Sequence, residues 1–374
     1  MLQKTHETTI LTAAYAPENE WADRCRYWAA KANATPTRKR RERRTEPLVV
    51  SGHGLAVRVD KGCLIVKGGH THYPAEASEQ RFFKGGLDVP PRIVAVDGSG
   101  TLTLDALDWM AEQGIAFVRI NYDGAQAVVM SPTGYAANPE RITWQRETRD
   151  NPKRQLAFAI KTTKGKLQAA LETLGYHLPK SDSQSAAIRI TENALLEIAE
   201  AQSLSALLGI EGKAANAYWR AWHGIELRWK AKTRYPIPDE WRVFKSRSSI
   251  LNNGKLKNLH ASNPVNAMLN YAYAVLLTQM RIKAIAEGYD PMFGILHDQR
   301  TKRKEMSPSF ALDLMEPLRP VVDRAVLKLI SDETFSGADF QLQSDGVCRL
   351  NPELARMVAT VAAQATSRPP QFGR

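Results

Sequence analysis

The hydrophobic pattern in the first part of the chain consists of short apolar runs. The segments LVV, LAVRV, LIVK and RIVAV lie between residues 48 and 96 and are separated by glycines, which is typical of strands joined by tight turns. An amphipathic stretch at 104–113 predicts a single helix. A strand at 115–121, a turn at Asp123-Gly124 and a strand at 125–130 then form a hairpin. This part of the chain is predicted to be a small β domain.

Beyond Pro152 the apolar positions recur at helical spacing. Helices are predicted at 152–174, at 186–208 with Gly209 as the stop, from Glu211 onward, at 263–287 and from Pro352. The segment 132–152 is rich in Pro, Asn and Gly and is predicted to be the boundary. The fold class is therefore α+β, with a β-rich domain at 46–135, a linker at 136–151 and a larger all-α domain at 152–374.

Residues 1–45 differ from both domains. The segment 18–32 predicts a short helix with Trp21, Cys25 and Trp28 on one face, and residues 38–44 read RKRRERR. One interpretation is an arm that binds DNA or docks on a partner. The other, which we prefer from the sequence, is a flexible, poorly ordered extension.

Charge and cysteine content narrow the class of partner and the compartment. The net charge is +12, of which residues 38–44 contribute +5, so the remaining +7 is spread over the chain. This basicity predicts a polyanionic partner, with nucleic acid ahead of a membrane surface. The three isolated cysteines have no CxxC spacing, and no apolar run is long enough to span a bilayer. We therefore expect a cytoplasmic protein with no membrane association.

The candidate chemistry is concentrated at residues 291–323. His297 lies in a loop opened by Gly294, and a helix capped by Ser307 places Asp313 and Glu316 three residues apart on one face. Two carboxylates beside one imidazole suit Mg²⁺ or Mn²⁺ better than zinc. The alternative is a solvated charged loop followed by an amphipathic helix with ordinary surface acids.

Basic residues accompany this segment. They are Arg300, Lys302, Arg303 and Lys304. Cations next to a metal site indicate phosphodiester chemistry. The helix at 152–174 carries five further positive charges against one acid, so it either faces phosphates or is merely solvated.

Four motifs together resemble a known family. The segment GILHDQRTKRKEMSPSFALDLMEPLRPVVD is similar to the histidine and DLMEPxRP motifs of the CRISPR-associated adaptation integrase family, the large subunit that inserts new spacers. LLGIEGKAANAYW at 207–219 and NPVNAMLNYAYAVL at 263–276 resemble two other motifs of that family. They occur in the family's order, and the resemblance covers residues 48–354.

The resemblance implies a site and a cofactor. It makes Glu211, His297 and Glu316 the ligands of Mg²⁺ or Mn²⁺, with Asp313 as a neighbouring acidic residue of the catalytic set, and it places Asn266 nearby. The DNA-binding residues that we predict are Arg247, Arg300, Lys302, Arg303, Lys304 and Tyr218. For Tyr218 the choice lies between stacking on DNA and a place in the core.

The implied activity is that of a metal-dependent DNA endonuclease and integrase, which inserts short foreign DNA fragments into a CRISPR array by transesterification. The implied partners are double-stranded DNA, a second copy of the chain joined through the β domain, and a small ferredoxin-like adaptation subunit. The alternatives are a stand-alone branched-DNA nuclease, a transposon-type integrase, or a DNA-binding module without catalysis.

Overall fold

The computed structural model describes residues 19–34, 42–73, 78–121, 126–130, 132, 138–247, 261–297, 308–344 and 346–367. The helices are α1 (Glu20–Asn33), α2 (Leu104–Glu112), α3 (Pro139–Asp150), α4 (Pro152–Tyr176), α5 (Asp182–Glu197), α6 (Leu204–Ala221), α7 (Pro264–Ala286), α8 (Ser309–Met315), α9 (Arg319–Asp332) and α10 (Pro352–Ser367). The strands are β1 (Leu48–Ser51), β2 (Leu55–Asp60), β3 (Cys63–Lys67), β4 (Glu79–Phe82), β5 (Arg92–Val96), β6 (Gly100–Leu102), β7 (Ala116–Ile120), β8 (Gln126–Met130), β9 (Arg228–Lys230), β10 (Thr334–Ser336), β11 (Phe340–Leu342) and β12 (Cys348–Leu350).

The β region consists of two four-stranded sheets. One has the order β1-β5-β7-β8, in which only β8 runs antiparallel to its neighbour, and the other has the order β4-β3-β2-β6. Apolar side chains of both sheets and Trp109 of α2 form one buried cluster. The α+β prediction is confirmed. Strands β4 and β6 were not predicted, because their sequences EQRF and GTL are polar and show no alternation of apolar residues.

Strands β1, β5 and β7 of the first sheet contribute side chains to a core on each face. Alternate residues such as Val50 and Ile93 face the other sheet, while Val49 and Val94 join the core of the helical region. A parallel strand covered on both sides reads as a continuous apolar run, which explains LVV and RIVAV. The sheet therefore links the β region to the helices through α7 and α10.

The helical region is organised around α7. Its side chains from Pro264 through Leu269 are buried, because helices α8, α9 and α10 and strand β7 pack around it. The region is not all-α as predicted, since β9 pairs with β10 and β11 pairs with β12. No helix in the part of the chain that the structure describes is both long and apolar enough to cross a membrane.

Two predicted boundaries differ from those of the structure. Most of the segment predicted as a linker is α3, whose first turn is capped by the Asn138 side chain at 2.9 Å from the Glu140 amide. Asn151 caps α4 in the same way. Asn138-Pro139 is therefore a helix start, as Asn151-Pro152 was predicted to be. Gly209 does not end a helix either, because α6 begins after Ser203 and runs through Gly209 on its exposed side.

The N-terminal helix α1 is packed against the helical region, which corrects the expectation of a flexible extension for residues 20–33. Arg24, which is 2% exposed, donates to both carboxylate oxygens of Asp339 at 2.7 and 2.8 Å. The Trp28 indole N–H donates to the same carboxylate at 2.7 Å. Trp21 reaches the β region, where it donates to the Thr71 carbonyl. The basic run at 38–44 lies mostly outside the described residues.

The Arg24–Asp339 pair generates a prediction for stability. Arg24→Met leaves a buried carboxylate without its cation, so the free energy of unfolding should fall by about 3 kcal/mol or more. The matched control is Arg26→Met, because Arg26 pairs with Asp23 while 54% exposed and should cost less than about 1 kcal/mol. Urea denaturation measures both. If both substitutions lowered the free energy of unfolding by the same small amount, the packing of α1 would not depend on the Arg24–Asp339 pair.

Candidate functional site

Four elements bring charged side chains together at one partly buried place. Lys166 of α4 has its Nζ 2.6 Å from Oε1 of Glu211 on α6 and 2.7 Å from Oε2 of Glu316, which follows α8. His297, in the loop after α7, has its Nε2 3.9 Å from Oε1 of Glu316. The three residues predicted as ligands are therefore neighbours, although 86 residues separate Glu211 from His297 and 19 separate His297 from Glu316.

Asp313 binds His297 at Nδ1, the ring nitrogen that does not face Glu316. Its buried carboxylate accepts the Nδ1–H of His297 at 2.6 Å and the backbone N–H groups of Ile295, Leu296 and His297 at 2.6 to 3.1 Å. A carboxylate on Nδ1 fixes the ring's tautomer and leaves the lone pair on Nε2. Asp313 thus orients the histidine and ties down its loop.

Gly294 allows this loop to pass close to α8. A Cβ at this position would lie 2.4 Å from the His297 carbonyl oxygen and 2.6 Å from Cβ of Ser309. Backbone contacts this short leave no room for a side chain. The glycine that opens the predicted loop is therefore required by packing against the helix that carries Asp313.

The charges at this place stabilise one another. Burial works to lower the pKa of Lys166, but the negative charges of Glu316 and Glu211 outweigh it and hold the pKa above its usual value. Burial likewise works to raise the pKa of Glu316, and Arg319 and Lys166 outweigh it, so the pKa of Glu316 is lowered. Arg319 Nε lies 3.0 Å from Glu316 Oε1. Lys166 and Glu316 are both charged at neutral pH.

The donor set has the chemistry of a divalent-cation site. Carboxylate oxygens with one imidazole suit Mg²⁺ or Mn²⁺. In the arrangement shown, no three acidic, histidine or cysteine side chains among the described residues lie close enough together to hold a metal ion. The ammonium of Lys166 is the cation between the two glutamates.

A buried polar network supports this site from the core. Asp323 accepts hydrogen bonds from the Tyr218 hydroxyl at 2.8 Å and the Tyr273 hydroxyl at 2.5 Å. The guanidinium carbons of Arg247 and Arg319 lie 5.4 and 5.5 Å from the centre of the Tyr273 ring. Because Arg319 also pairs with Glu316, the network extends from the core to the site.

The structure corrects one predicted DNA contact. Tyr218 is only 5% exposed, and its hydroxyl is committed to Asp323, so the ring is not available to stack on a base. Arg247 is close to the site and donates to Asn266 at 3.2 Å and Asn270 at 2.7 Å. Its predicted role in binding DNA stays a prediction. The other predicted DNA contacts lie outside the described residues: Arg300, Lys302, Arg303 and Lys304.

The place of Lys166 within the site was not predicted. From the sequence, this lysine is one of the solvated or phosphate-facing charges of α4. The sequence does contain a usable signal. Lys166 lies on a stripe of α4 with spacings of three and four residues, and the other members of the stripe are buried: Ala159, Thr163 and Ala170. A lysine on the buried stripe of a helix needs an acidic partner.

The family model for the CRISPR associated protein Cas1 matches residues 48–363. The chain belongs to the Cas1 family of CRISPR-associated proteins. A curated relative, the CRISPR-associated endonuclease Cas1 1 of Methanospirillum hungatei, is 26% identical over 309 residues, which cover 81% of this chain and 82% of the relative.

Solved structures share the fold. A casposase bound to an integration product has a TM-score of 0.64 at 23% identity, covering 86% of this chain and 82% of that one. A Cas6-RT-Cas1–Cas2 complex has a TM-score of 0.60 at 18% identity, covering 90% of this chain and 34% of that one. At these identities the likeness concerns the arrangement of helices and strands.

The Asp323 network generates a pH prediction. Burial raises the pKa of Asp323 from 3.8 to about 6, outweighing the hydrogen bonds from Tyr273 and Tyr218. Between about pH 4 and pH 6, Asp323 loses its proton in the unfolded chain but keeps it in the folded chain. The free energy of unfolding therefore falls as the pH rises through this range. In Asp323→Asn the free energy of unfolding should no longer show this dependence on pH, which in the wild type is of the order of 1 to 3 kcal/mol between pH 4 and 6.

Thermal unfolding at several pH values measures this slope. The control is Asp239→Asn, because the Asp239 side chain is 89% exposed and should leave the profile unchanged. An Asp323→Asn profile parallel to that of the wild type would contradict the assignment.

Proposed function

We propose that this protein is a divalent-metal-dependent DNA endonuclease and integrase that inserts short DNA fragments into a CRISPR array. The observation that carries the proposal is that Glu211 and Glu316 meet at one cation, the Lys166 ammonium, with His297 Nε2 3.9 Å from Glu316 Oε1. Membership of the Cas1 family supports it, as do a relative named an endonuclease and a structural neighbour bound to an integration product.

The proposed roles follow from the contacts. Glu211, Glu316 and His297 would hold Mg²⁺ or Mn²⁺, and the bound ion would stabilise the charge that develops on the transferred phosphate. Asp313 keeps the proton on Nδ1 of His297, so Nε2 remains a donor to the metal. Arg319 keeps Glu316 ionised and in place. The reaction is transesterification: a DNA 3′-hydroxyl attacks a phosphodiester of the array, a new P–O bond forms to that oxygen, and the P–O bond to the 3′-oxygen of the array strand breaks, so that this strand leaves with a 3′-hydroxyl.

The proposed DNA contacts are mainly with phosphates. We assign this role to Arg247, Arg300, Lys302, Arg303 and Lys304. Contacts of lysine and arginine with the backbone position DNA without reading its sequence. The net charge of +12 supports an association with double-stranded DNA that weakens as salt is added.

The proposed assembly is a homodimer that joins a small ferredoxin-like adaptation subunit. We assign dimerisation to the β domain at 46–135 and catalysis to the region from residue 152 to the C-terminus. A structural neighbour occurs in a complex whose name includes both Cas1 and Cas2, which supports the proposal of a second subunit. We place the protein in the cytoplasm.

Strand transfer tests the proposed site. His297→Ala and Glu316→Gln should each lower integration of a fragment with free 3′-hydroxyls into a plasmid carrying the repeat by on the order of 100-fold or more. The control is Glu287→Gln, because Glu287 is 48% exposed and lies in an i,i+4 pair with Lys283. Circular dichroism should show unchanged helix content in all three variants.

Three outcomes are distinguishable in this assay with Mn²⁺ present. Wild-type integration by both site variants would contradict the proposed metal ligands. Equal integration into plasmids with and without the repeat would favour a transposon-type integrase. Binding of DNA with no wild-type turnover would favour a DNA-binding module without catalysis.

A further inference from the structure

The ammonium of Lys166 lies between the carboxylates of Glu211 and Glu316. It is 2.6 Å from Glu211 Oε1 and 2.7 Å from Glu316 Oε2, so it touches one oxygen of each carboxylate. The side chains of these three residues are 23%, 20% and 12% exposed, and the place is therefore reached by solvent but largely enclosed.

The second oxygen of Glu316 is also engaged. Oε1 faces Arg319 Nε at 3.0 Å and His297 Nε2 at 3.9 Å. A divalent ion binds oxygens at about 2.0 to 2.1 Å for Mg²⁺, which is closer than an ammonium approaches them. A metal that bound both Glu211 Oε1 and Glu316 Oε2 would enter the space that Nζ fills. The ammonium and a dication cannot share that space, because they repel each other and compete for the same oxygens.

We propose that Lys166 is a resident counter-cation that holds the empty metal site together and is displaced when the metal binds. This inference rests on the proposed function, since it assumes that Glu211 and Glu316 are metal ligands. Without a cation between them, the two partly buried carboxylates would repel each other. Lys166 therefore stabilises the metal-free protein and, for the same reason, weakens its affinity for the metal.

The test measures metal affinity and stability rather than activity. Lys166→Met removes the competing charge while keeping an unbranched side chain. We expect the dissociation constant for Mn²⁺, from electron paramagnetic resonance of the free ion, to fall by about tenfold or more, which corresponds to about 1.4 kcal/mol. In EDTA the melting temperature should be lower than that of the wild type, and saturating Mn²⁺ should raise it further than it raises the wild type's.

Two further variants keep the test decisive. Lys166→Gln is neutral but polar, and it should also tighten Mn²⁺ binding if the methionine variant fails to fold without metal. Lys164→Met removes an exposed lysine from the same helix and should leave the Mn²⁺ affinity unchanged. All variants are measured as the full chain.

The outcomes separate this inference from the proposed function. Unchanged or weaker Mn²⁺ binding in folded Lys166→Met and Lys166→Gln, with tight binding in the wild type, would overturn the role of Lys166 and leave the metal site standing. No Mn²⁺ binding by wild type or variants would overturn the metal site itself and the inference with it. Displacement is supported if Lys166→Met and Lys166→Gln both bind Mn²⁺ more tightly than the wild type does, while Lys164→Met does not.

Discussion

Two carboxylates held close together in a partly buried place require a cation, and this electrostatic constraint determines how the functional region is built. Glu211 and Glu316 come from separate helical segments, and Lys166 from a third contacts both. Removing water from charges is costly unless they are paired. The pairing therefore adds to the apolar contacts that fix α4, α6 and the segment after α8 relative to one another.

The same constraint explains the residues around the site. Asp313 is buried and fully engaged by three backbone N–H groups and the His297 ring, so it orients the ring without competing for the cation. Arg319 neutralises the remaining charge of Glu316 and contacts the Tyr273 ring, whose hydroxyl donates to Asp323. Rigid helices and buried hydrogen bonds thus fix the geometry that catalysis would require.

Much of the fold could be predicted from local patterns. The apolar strands and α7 were predictable because their burial repeats with the period of the element. The polar strand β4 was not predictable, because backbone pairing with β3 forms it and its side chains carry no periodic signal. The helix α3 was missed because Asn138 and Pro139, which start it, also occur in loops.

The site was predictable only in part, since its parts are far apart in sequence. Family motifs identified Glu211, His297 and Glu316, and the fold brings them together. No motif identified Lys166, because its role depends on which face of α4 meets α6 and Glu316. Tyr218 was assigned to DNA because aromatic residues serve both surfaces and cores, and only its contact with buried Asp323 decides between them. For α1, the pattern at 18–32 predicted the helix but not its packing, because the buried pair of Arg24 with Asp339 joins residues that lie 315 positions apart.

The most direct test of the central claim is a crystal structure of the protein soaked with Mn²⁺, with the metal located by anomalous scattering. We expect one strong peak bonded to oxygens of Glu211 and Glu316 and to Nε2 of His297. The Lys166 ammonium should have moved out of hydrogen-bond distance of both glutamates. A peak elsewhere, with Lys166 still between Glu211 and Glu316 at saturating Mn²⁺, would contradict both the metal site and the displacement.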